Sequence, residues 1–389
     1  MPDQITETTN TGWLARIKSA LTGIIIGPLI IILSIWLLWS NEIRSVNVSN
    51  GLEEGAKAVV SLTSPEARPE SEGKLIHTSG VLDTTALLRD DIFGVEQKAL
   101  RLDRKVEMYQ WTEKKSSSSN DNLGGSQTTT TTYSYEKKWT DAKVNSSNFH
   151  TPTDHTNPEE WKYTSSTIFA TDAKIGNIAV GQTFLGQLKA ETTFTTFSPS
   201  FSLSGTKVEN TSIYIGVDSA IPQVGDIRIR YSYTPVGTMS IIGKLMNQAV
   251  IPYTTKTNTT IALITPGTVE ASSMFATSQA NNTLTTWMLR GAGMILMFAG
   301  FSVFFQIISI LTKFLPILSV MVEWGLGLVS FCLTLLLGGT IIAIAWFAAR
   351  PMISAIVAVV VAGVIWGVYQ MKKGTTVKVE ESGVSLSGV

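Results

Sequence analysis

The stretch Leu21–Trp39, LTGIIIGPLIIILSIWLLW, decides the fold, because it runs for nineteen residues without a charged side chain. As a helix rising about 1.5 Å per residue it would be roughly 28 Å long, close to the ~30 Å hydrocarbon core of a bilayer. A cleaved signal peptide is the alternative, but its apolar core is usually about 7–15 residues. Trp36 and Trp39 stand where interfacial anchors are expected. The stretch therefore predicts a retained transmembrane helix over residues 21–39.

The composition indicates a membrane protein with one large water-facing insert. Apolar runs occupy both ends of the 389 residues, whereas the middle is rich in Ser, Thr and Asn. Thirty basic residues balance thirty acidic ones, which argues against a global attraction to nucleic acid. The single cysteine, Cys332, excludes an intrachain disulfide and a cysteine-based metal site.

Further apolar runs follow the insert. Residues 288–311 predict a second span. Residues 314–348 are apolar apart from Glu323; a single helix of that length, about 52 Å, exceeds one crossing, and the run is too short for two. We predict a break at EWGLG, giving an interfacial helix over 314–324 and a third span over 326–347. Glu323 then lies at the headgroup level; an intramembrane carboxylate that relays protons or ions is the alternative.

A fourth span is predicted over residues 351–369, which places both termini on one side of the membrane. Residues 1–20 and the tail 370–389 are then cytoplasmic under the positive-inside rule, and residues 41–286 form an extracytoplasmic domain. The basic residues on which this orientation rests are Arg16, Lys18, Lys313, Lys372 and Lys373.

Two glycine pairs lie at helix-packing distance within the apolar runs. They are Gly23 with Gly27 in the first span, and Gly363 with Gly367 in the fourth. Such small-xxx-small patterns let helix backbones approach closely, so we expect the first and fourth spans to pack together, or two copies to associate. The alternative is that glycine is simply common in membrane helices. Pro28 is expected to kink the first span.

The insert carries the alternation of β-strands. In DIRIRYSYT (226–234) apolar and polar side chains alternate, which is typical of a half-buried strand. The segments 73–82, 239–246 and 260–267 also predict short strands, and GLEEGAKAVVSL (51–62) predicts a helix. The insert is thus expected to be β-rich with some helix. Residues 116–132, SSSSNDNLGGSQTTTTT, are polar and glycine-containing and predict a mobile loop.

The segments that flank this loop predict a long hairpin. RKVEMYQW precedes the loop and YSYEKKWT follows it, and both carry aromatic residues two positions apart. We expect aromatic cross-strand pairs and opposite charges that face each other. The alternative is a ligand- or lipid-facing interaction surface, formed by Arg104, Lys105, Glu107, Tyr109 and Trp111.

The sequence contains no pattern typical of catalysis. Its three histidines are His77, His150 and His155. Asp154 stands beside His155, but no strand-borne partner can be named that would complete a metal site with these residues. Nucleophile elbows, phosphate-binding loops and zinc-binding helix motifs are missing. We therefore expect no catalytic, cofactor-binding or metal-binding residues, and no enzyme activity.

Several blocks, in one order, resemble the LUMA family, also called the transmembrane protein 43 family. They are LLWSNEIRSV, LEEG, EGKLIHTSG, RKVEMYQWTEKK, YSYEKKW, VNSSNF, VGDIRIRYSY and LRGAGMILMFAG, within residues 13–369. The resemblance implies four spans with a large domain between the first and second, and carries no catalytic residues. Animal members are self-associating scaffolds of the endoplasmic reticulum and inner nuclear membrane that contact emerin and lamins. Such partners would apply only in a eukaryote.

Three functional hypotheses follow. The first is a non-enzymatic multi-pass scaffold that forms homo-oligomers and organises membrane proteins in the bilayer. The second is a channel or transporter, suggested by Glu323, Pro28 and Pro316. The third is an envelope stress or defence sensor that binds lipid or ligand through its domain. A bacterial member would place this domain in the periplasm, anchored in the inner membrane; a eukaryotic one would place it in the lumen of the endoplasmic reticulum or the nuclear envelope.

Overall fold

Long helices form the base of the molecule. The computed structural model describes residues 3–197, 206–209, 211–313 and 316–350, with Ile356, Val359, Ala362, Gly363 and Trp366. The helices are α1 (Trp13–Ala58), α2 (Gln182–Leu185), α3 (Ala271–Thr312) and α4 (Pro316–Ala348), with short 3-10 turns at Pro69–Ser71 and Ser146–Asn148. Within these residues, three helices are long and apolar enough to cross a membrane: α1, α3 and the Ser319–Ala348 part of α4. The first two spans predicted from the sequence lie inside α1 and α3.

The third apolar run differs from the prediction. α4 continues without interruption from Pro316 to Ala348, so the split at EWGLG into an interfacial helix and a shorter span is wrong. A glycine costs a helix about 1 kcal/mol relative to alanine, but a break in an apolar setting would leave backbone groups unpaired. Most of the predicted fourth span, 351–369, and the tail 370–389 lie outside the described residues.

α1 extends well beyond its apolar segment. Its 46 residues correspond to about 69 Å of helix, of which residues 21–39 account for less than half. The helix continues through Pro28 and ends at Ala58, so the predicted helix at 51–62 is the last part of α1. Its final turns pack against the domain, where Leu52, Ile261 and Phe275 share a small core. One continuous helix therefore connects the apolar segment to the domain.

Nineteen strands make up the rest of the described fold. In chain order they are β1 (Asp3–Thr11), β2 (Val60–Ser61), β3 (Leu75–Asp83), β4 (Leu88–Asp90), β5 (Val95–Gln97), β6 (Arg101–Asp121), β7 (Gln127–Thr140), β8 (Ser166–Phe169), β9 (Lys174–Ile175), β10 (Ile178–Val180), β11 (Thr192–Thr193), β12 (Thr206–Glu209), β13 (Ser212–Ile215), β14 (Ile227–Thr234), β15 (Gly237–Met246), β16 (Ala249–Ile251), β17 (Tyr253–Thr254), β18 (Thr260–Ile261) and β19 (Leu263–Pro266).

Two sheets carry the main core of the domain. The first has the order β1-β7-β6-β14-β13-β12, with β8 paired to β6 and β11 to β14. The second has the order β19-β15-β16-β10-β9-β3-β2, with a further pairing of β15 to β3. Their inward side chains, including Leu102, Val106, Ile229 and Ile241, form one buried cluster. The predicted strands at 73–82, 226–234 and 239–246 are confirmed, whereas the segment 260–267 divides into β18 and β19, which belong to different sheets.

The segment predicted as a mobile loop is instead part of the first sheet. β6 runs through Ser116–Ser119 to Asp121, and β7 begins at Gln127, so that only residues 122–126 form the turn. Every residue from Ser116 to Asp121 pairs with one of Gln127–Thr132. Threonine is β-branched and favours strands, and this preference outweighs the polar composition on which the loop prediction rested. The hairpin is confirmed, but the mobile loop is wrong.

Candidate functional site

The strip predicted as an interaction surface begins with a buried ion pair. Arg104 donates from Nη1 to Asp90 Oδ2 at 2.6 Å and from Nε to the Thr164 carbonyl at 2.9 Å. The Tyr231 hydroxyl donates to the same Asp90 oxygen at 2.7 Å. Burial, reinforced by the Asp90 carboxylate, raises the pKa of Tyr231 well above its ordinary value. Arg104 therefore stabilises the core of the domain and is not available to a ligand.

Glu107 is the centre of the second charged group on β6. Arg228, directly opposite on β14, donates to Glu107 at 2.8 and 3.0 Å, and Arg230 donates at 2.7 Å. Burial raises the pKa of Glu107, but the hydrogen bond and charge of Arg228, with the charges of Arg230 and Lys105, outweigh it and hold the pKa below its usual value. Opposite charges therefore face each other between β6 and β14, and not between the two strands of the hairpin as predicted.

The aromatic residues of the strip pack within the hairpin, in a register that the sequence did not specify. Tyr109 lies opposite Trp139, with ring centroids 5.4 Å apart. Trp111 contacts the His155 ring at 4.7 Å, and the Lys137 ammonium lies 4.5 Å from its centroid. Of the five predicted surface residues, Lys105 keeps about half of its side chain exposed, while binding Glu107 and Asp141. The strip acts mainly as a brace between strands.

The far part of the hairpin forms a three-stranded ribbon with the N-terminal strand. We define the ribbon as β1, residues 127–135 of β7 and residues 113–121 of β6. β1 pairs antiparallel with β7, from Asp3 opposite Tyr135 to Thr11 opposite Gln127. Hydroxyl pairs cross it, at 3.1 Å between Ser117 and Thr131. The predicted cytoplasmic N-terminal segment is thus a strand that pairs with the insert.

The tip of the ribbon binds the ends of α1 and α3. Asp121 accepts from Arg16 Nη2 at 2.9 Å and from Lys313 Nζ at 2.6 Å. Arg16 also donates to the Gly125 carbonyl at 2.7 Å. A Cβ atom on Gly125 would lie 2.5 Å from the Trp13 ring, so the tip packs closely on the helix start. Residues from the N-terminus, the insert and the end of α3 therefore form one cluster.

Glu323 belongs to the edge of this cluster. Its carboxylate lies 2.8 Å from Lys313 Nζ and accepts from the Ser309 hydroxyl at 2.8 Å. Glu323 stays half-exposed, beside a shallow groove between α3 and α4 that Ser302, Gln306 and Ser330 also line. The lysine partner gives this carboxylate a structural role that links α4 to α3.

The loop that carries His150 and His155 covers the base of the ribbon. His155 is buried, stacks on Tyr135 with centroids 3.6 Å apart, and contacts Asp3 Oδ2 at 3.0 Å. His150 stacks on Tyr133 at 4.1 Å. Across the described ranges, no group of three or more His, Cys, Asp or Glu side chains could hold a metal ion. The two histidines position the ribbon on the domain.

A polar layer joins α1 and α3 directly above their apolar segments. Glu42 and Arg290 form a two-point ion pair at 2.6 and 2.8 Å. Arg44 donates to Asn282 and Thr286, and Asn282 donates back to the Ser45 carbonyl at 2.9 Å. Polar contacts of this kind fix the rotation and height of one helix against the other, because unpaired groups at this depth are costly.

The glycine pair of the first span packs against α3. A Cβ on Gly23 would lie 2.7 Å from the Val303 carbonyl oxygen, and one on Gly27 would lie 2.8 Å from the Gly300 carbonyl oxygen. The close approach is confirmed for the second span, while the predicted packing of the first span on the fourth falls mostly outside the described residues. Gly363 has no neighbour within 4 Å among the described residues, and Gly367 lies outside them.

Sequence reasoning missed Asp121, Asp3 and Glu42 as contact residues. Asp121 was assigned to a loop, and Asp3 to the cytoplasmic N-terminus. One signal could have indicated the strand pairing: the threonine-rich segment QITETTNT resembles TTTTT in β-propensity. Glu42 follows the apolar run at Trp39 by one helical turn, where a charge needs a partner on the neighbouring helix.

Comparison with known proteins decides the family. The sequence model described as Transmembrane protein 43 matches residues 108–351, more than half of the chain. The chain belongs to the transmembrane protein 43 family. It is 30% identical to Transmembrane protein 43 of Rattus norvegicus over 373 residues, covering 91% of each chain. Identity is 29% to the Homo sapiens protein over 375 residues, again 91% of each, and 28% to the Drosophila melanogaster homolog over 334 residues, 82% of this chain and 86% of that one. No solved structure matches.

Proposed function

We propose that this member of the family is a non-enzymatic membrane scaffold that self-associates and organises other membrane proteins. The observation that carries the proposal is the rigid connection between membrane base and domain. α1 and α3 each continue from an apolar segment into the domain without a break. A domain held in this way presents its surfaces at a fixed height and orientation, which a platform for assembly requires.

The polar layer supports this interpretation. Glu42, Arg44, Asn282 and Arg290 bind one another between the two helices, so neither helix can slide or rotate without exposing a charge. A hinge or lid, which enzymes and transporters use, would need a break at this level. The polar layer therefore favours a rigid connection between α1 and α3 over a hinge.

The chemistry of the charged residues supports the absence of catalysis. Across the described residues, the ionisable groups of the predicted strip bind structural partners: Arg104 binds Asp90, and Glu107 binds Arg228 and Arg230. The partners proposed for the scaffold are further copies of the chain, lipid and other membrane proteins. The choice between a bacterial inner membrane and a eukaryotic endoplasmic reticulum or nuclear envelope stays a prediction.

Native mass spectrometry of the full chain in lipid nanodiscs tests the proposal. The expected result is a discrete oligomer that persists as detergent and protein concentration are lowered. A strict monomer across these conditions would contradict self-association. Flux through liposomes, compared between the unmodified chain and Glu323→Gln, tests the transport hypothesis, and we expect no flux from either.

A further inference from the structure

We propose that neighbouring copies pair through their ribbons, with the β6 edge of one copy beside the β1 edge of the next. The proposal specifies the contact surface for the self-association proposed above and rests on it. Its partner is a second copy of this chain. Three features of the ribbon support this pairing: its level, its two faces and its two edges.

The ribbon lies at the level of the apolar helix segments. Its tip residue Asp121 binds Arg16 and Lys313, at one end of those segments. The β6 residue Tyr109 still lies in the domain, where its amide donates to the Asp226 carbonyl. From Tyr109 to Asp121 a strand covers about 40 Å, and α1 covers about 39 Å from Arg16 to Glu42. The ribbon therefore runs past the whole segment that a bilayer would surround.

Both faces of the ribbon are polar. One face carries Gln4, Thr6, Thr8 and Asn10 of β1 beside Thr128, Thr130 and Thr132 of β7 and Ser116 and Ser118 of β6. The opposite face carries Glu7, Thr9, Thr129, Thr131, Ser117 and Ser119, and Ile5 is the single aliphatic side chain in β1. Hydroxyl and amide groups of this density are not stable in hydrocarbon. The ribbon must face water or other polar groups.

Within the part of the chain that the structure describes, neither edge of the ribbon pairs with a further strand. The pairing of β6 with β14 ends at Met108, and the outer edge of β1 pairs with no strand among the described residues. The amides of Tyr109 and Trp111 point away from β7, so by alternation those of Glu113, Lys115, Ser117 and Ser119 do as well. Lipid cannot satisfy such groups, and natural sheets close or cover their edges at membrane depth.

The two edges are complementary. β1 and β6 both run antiparallel to β7, so they run in the same direction, and a β6–β1 contact between copies is a parallel pair. Thr8 and Ser118 share the partner Thr130 and lie at the same height. Thr8 directs its backbone groups outward on β1, whereas Ser117 and Ser119 do so on β6. In a parallel pair, a residue forms backbone hydrogen bonds to the two residues that flank the one opposite it. Thr8 of one copy, placed opposite Ser118 of the next, would therefore bond to Ser117 and Ser119.

Equal height has a further consequence. Copies related by rotation about the membrane normal keep their helices at one depth, and they bring β6 and β1 together without a vertical shift. The contact joins two different edges of the ribbon, and repeating it by rotation about one axis gives a closed ring. In this ring every β6 edge is paired with a β1 edge. The polar faces then lie against polar groups inside the assembly and out of contact with lipid.

Disulfide cross-linking of the full chain in membranes tests this. The variant carries Cys332→Ser with Thr8→Cys and Ser118→Cys. Within one copy these positions lie two strand spacings apart, about 9.6 Å, beyond the ~7 Å that a disulfide can bridge between Cα atoms. Any disulfide between them therefore joins two copies. The matched control combines Ser118→Cys with Asp91→Cys, an exposed residue of the domain.

The expected result is a ladder of covalent oligomers from the Thr8/Ser118 pair and none from the control. When the Thr8→Cys and Ser118→Cys single variants carry different tags and are mixed, every cross-linked dimer should contain both tags. A native oligomer without the ladder would overturn edge pairing and leave self-association intact, whereas a strict monomer would contradict both. In a second variant, Ser117→Pro removes one outward amide and the hydroxyl contact with Thr131 but no backbone hydrogen bond to β7, and it should reduce the cross-linking yield at least fivefold.

Discussion

Glu42 and Arg290 meet in a two-point ion pair, 2.6 and 2.8 Å long, although 247 residues of sequence separate them. The Glu42 side chain is 1% exposed. The pair stands at the domain end of the apolar segments, where the helices leave the hydrocarbon. It therefore sets the height at which the domain is held above the membrane.

Glu42→Gln should destabilise the helix pair. The substitution leaves the Arg290 guanidinium without its counter-charge in a buried site, which costs on the order of 3 kcal/mol. Thermal unfolding in detergent micelles measures the effect. Glu53→Gln is the matched control, because Glu53 forms an exposed pair with Lys57. Equal melting temperatures for the two variants would contradict a structural role of the polar layer.

Gly27→Ala should separate α1 from α3. The added Cβ would lie 2.8 Å from the Gly300 carbonyl oxygen and from Phe304. Because these are backbone atoms or atoms next to the backbone, relieving the clash requires one of the two helices to shift. We expect a loss of about 1–3 kcal/mol, the usual cost of overpacking. Gly291→Ala on α3 is the control, since no atom lies within 4 Å of that Cβ. Chemical denaturation measures both variants. A Gly27→Ala variant as stable as Gly291→Ala would contradict the close packing of α1 on α3.

Asp90→Asn should destabilise the domain far more than Asp91→Asn. Asp90 is 4% exposed and neutralises the buried Arg104, whereas Asp91 is 84% exposed in a surface pair with Arg89. Breaking the buried pair costs about 3–5 kcal/mol. Tryptophan fluorescence during urea titration gives both values. Similar midpoints for the two variants would show that the Arg104 pair does not brace the core.

Glu107 predicts a specific pH dependence. Its pKa in the folded protein is below the ordinary value, so its stabilising contribution is complete above the unfolded pKa, about 4.3. The contribution declines as the pH falls from about 5 toward the folded pKa. The stability difference between the unmodified chain and Glu107→Gln should therefore shrink between pH 6 and pH 3. A difference that stays constant over this range would contradict the assigned ion pairs with Arg228 and Arg230.

The membrane helices and the alternating strands could be predicted because each is determined locally. A run such as 21–39 has no stable alternative to a helix in hydrocarbon, and the alternation of Ile227 and Ile229 with Arg228 and Arg230 survives in β14 unchanged. The charged partners of Arg104 and Glu107 also follow the expected rule that opposite charges face each other.

The ribbon could not be predicted because its stability comes from pairing between distant segments. Ser116–Ser119 and Thr128–Thr132 have no apolar face, so no periodicity indicates a strand, and the third strand comes from residues 3–11. The uninterrupted α4 was missed for a different reason: the predicted break rested on length, since a helix of about 52 Å exceeds one crossing, yet the helix continues through EWGLG to Ala348.

The account rests on the ribbon passing the level of the bilayer, and side-specific labelling of single cysteines tests this most directly. In a Cys332→Ser background, Leu123→Cys at the ribbon tip, Lys18→Cys near the start of α1 and Asp91→Cys on the domain are treated with a membrane-impermeant maleimide in sealed vesicles of known orientation. The account predicts that Leu123→Cys and Lys18→Cys react from one side, and Asp91→Cys from the other. Labelling of Leu123→Cys from the same side as Asp91→Cys, with Lys18→Cys protected, would contradict it.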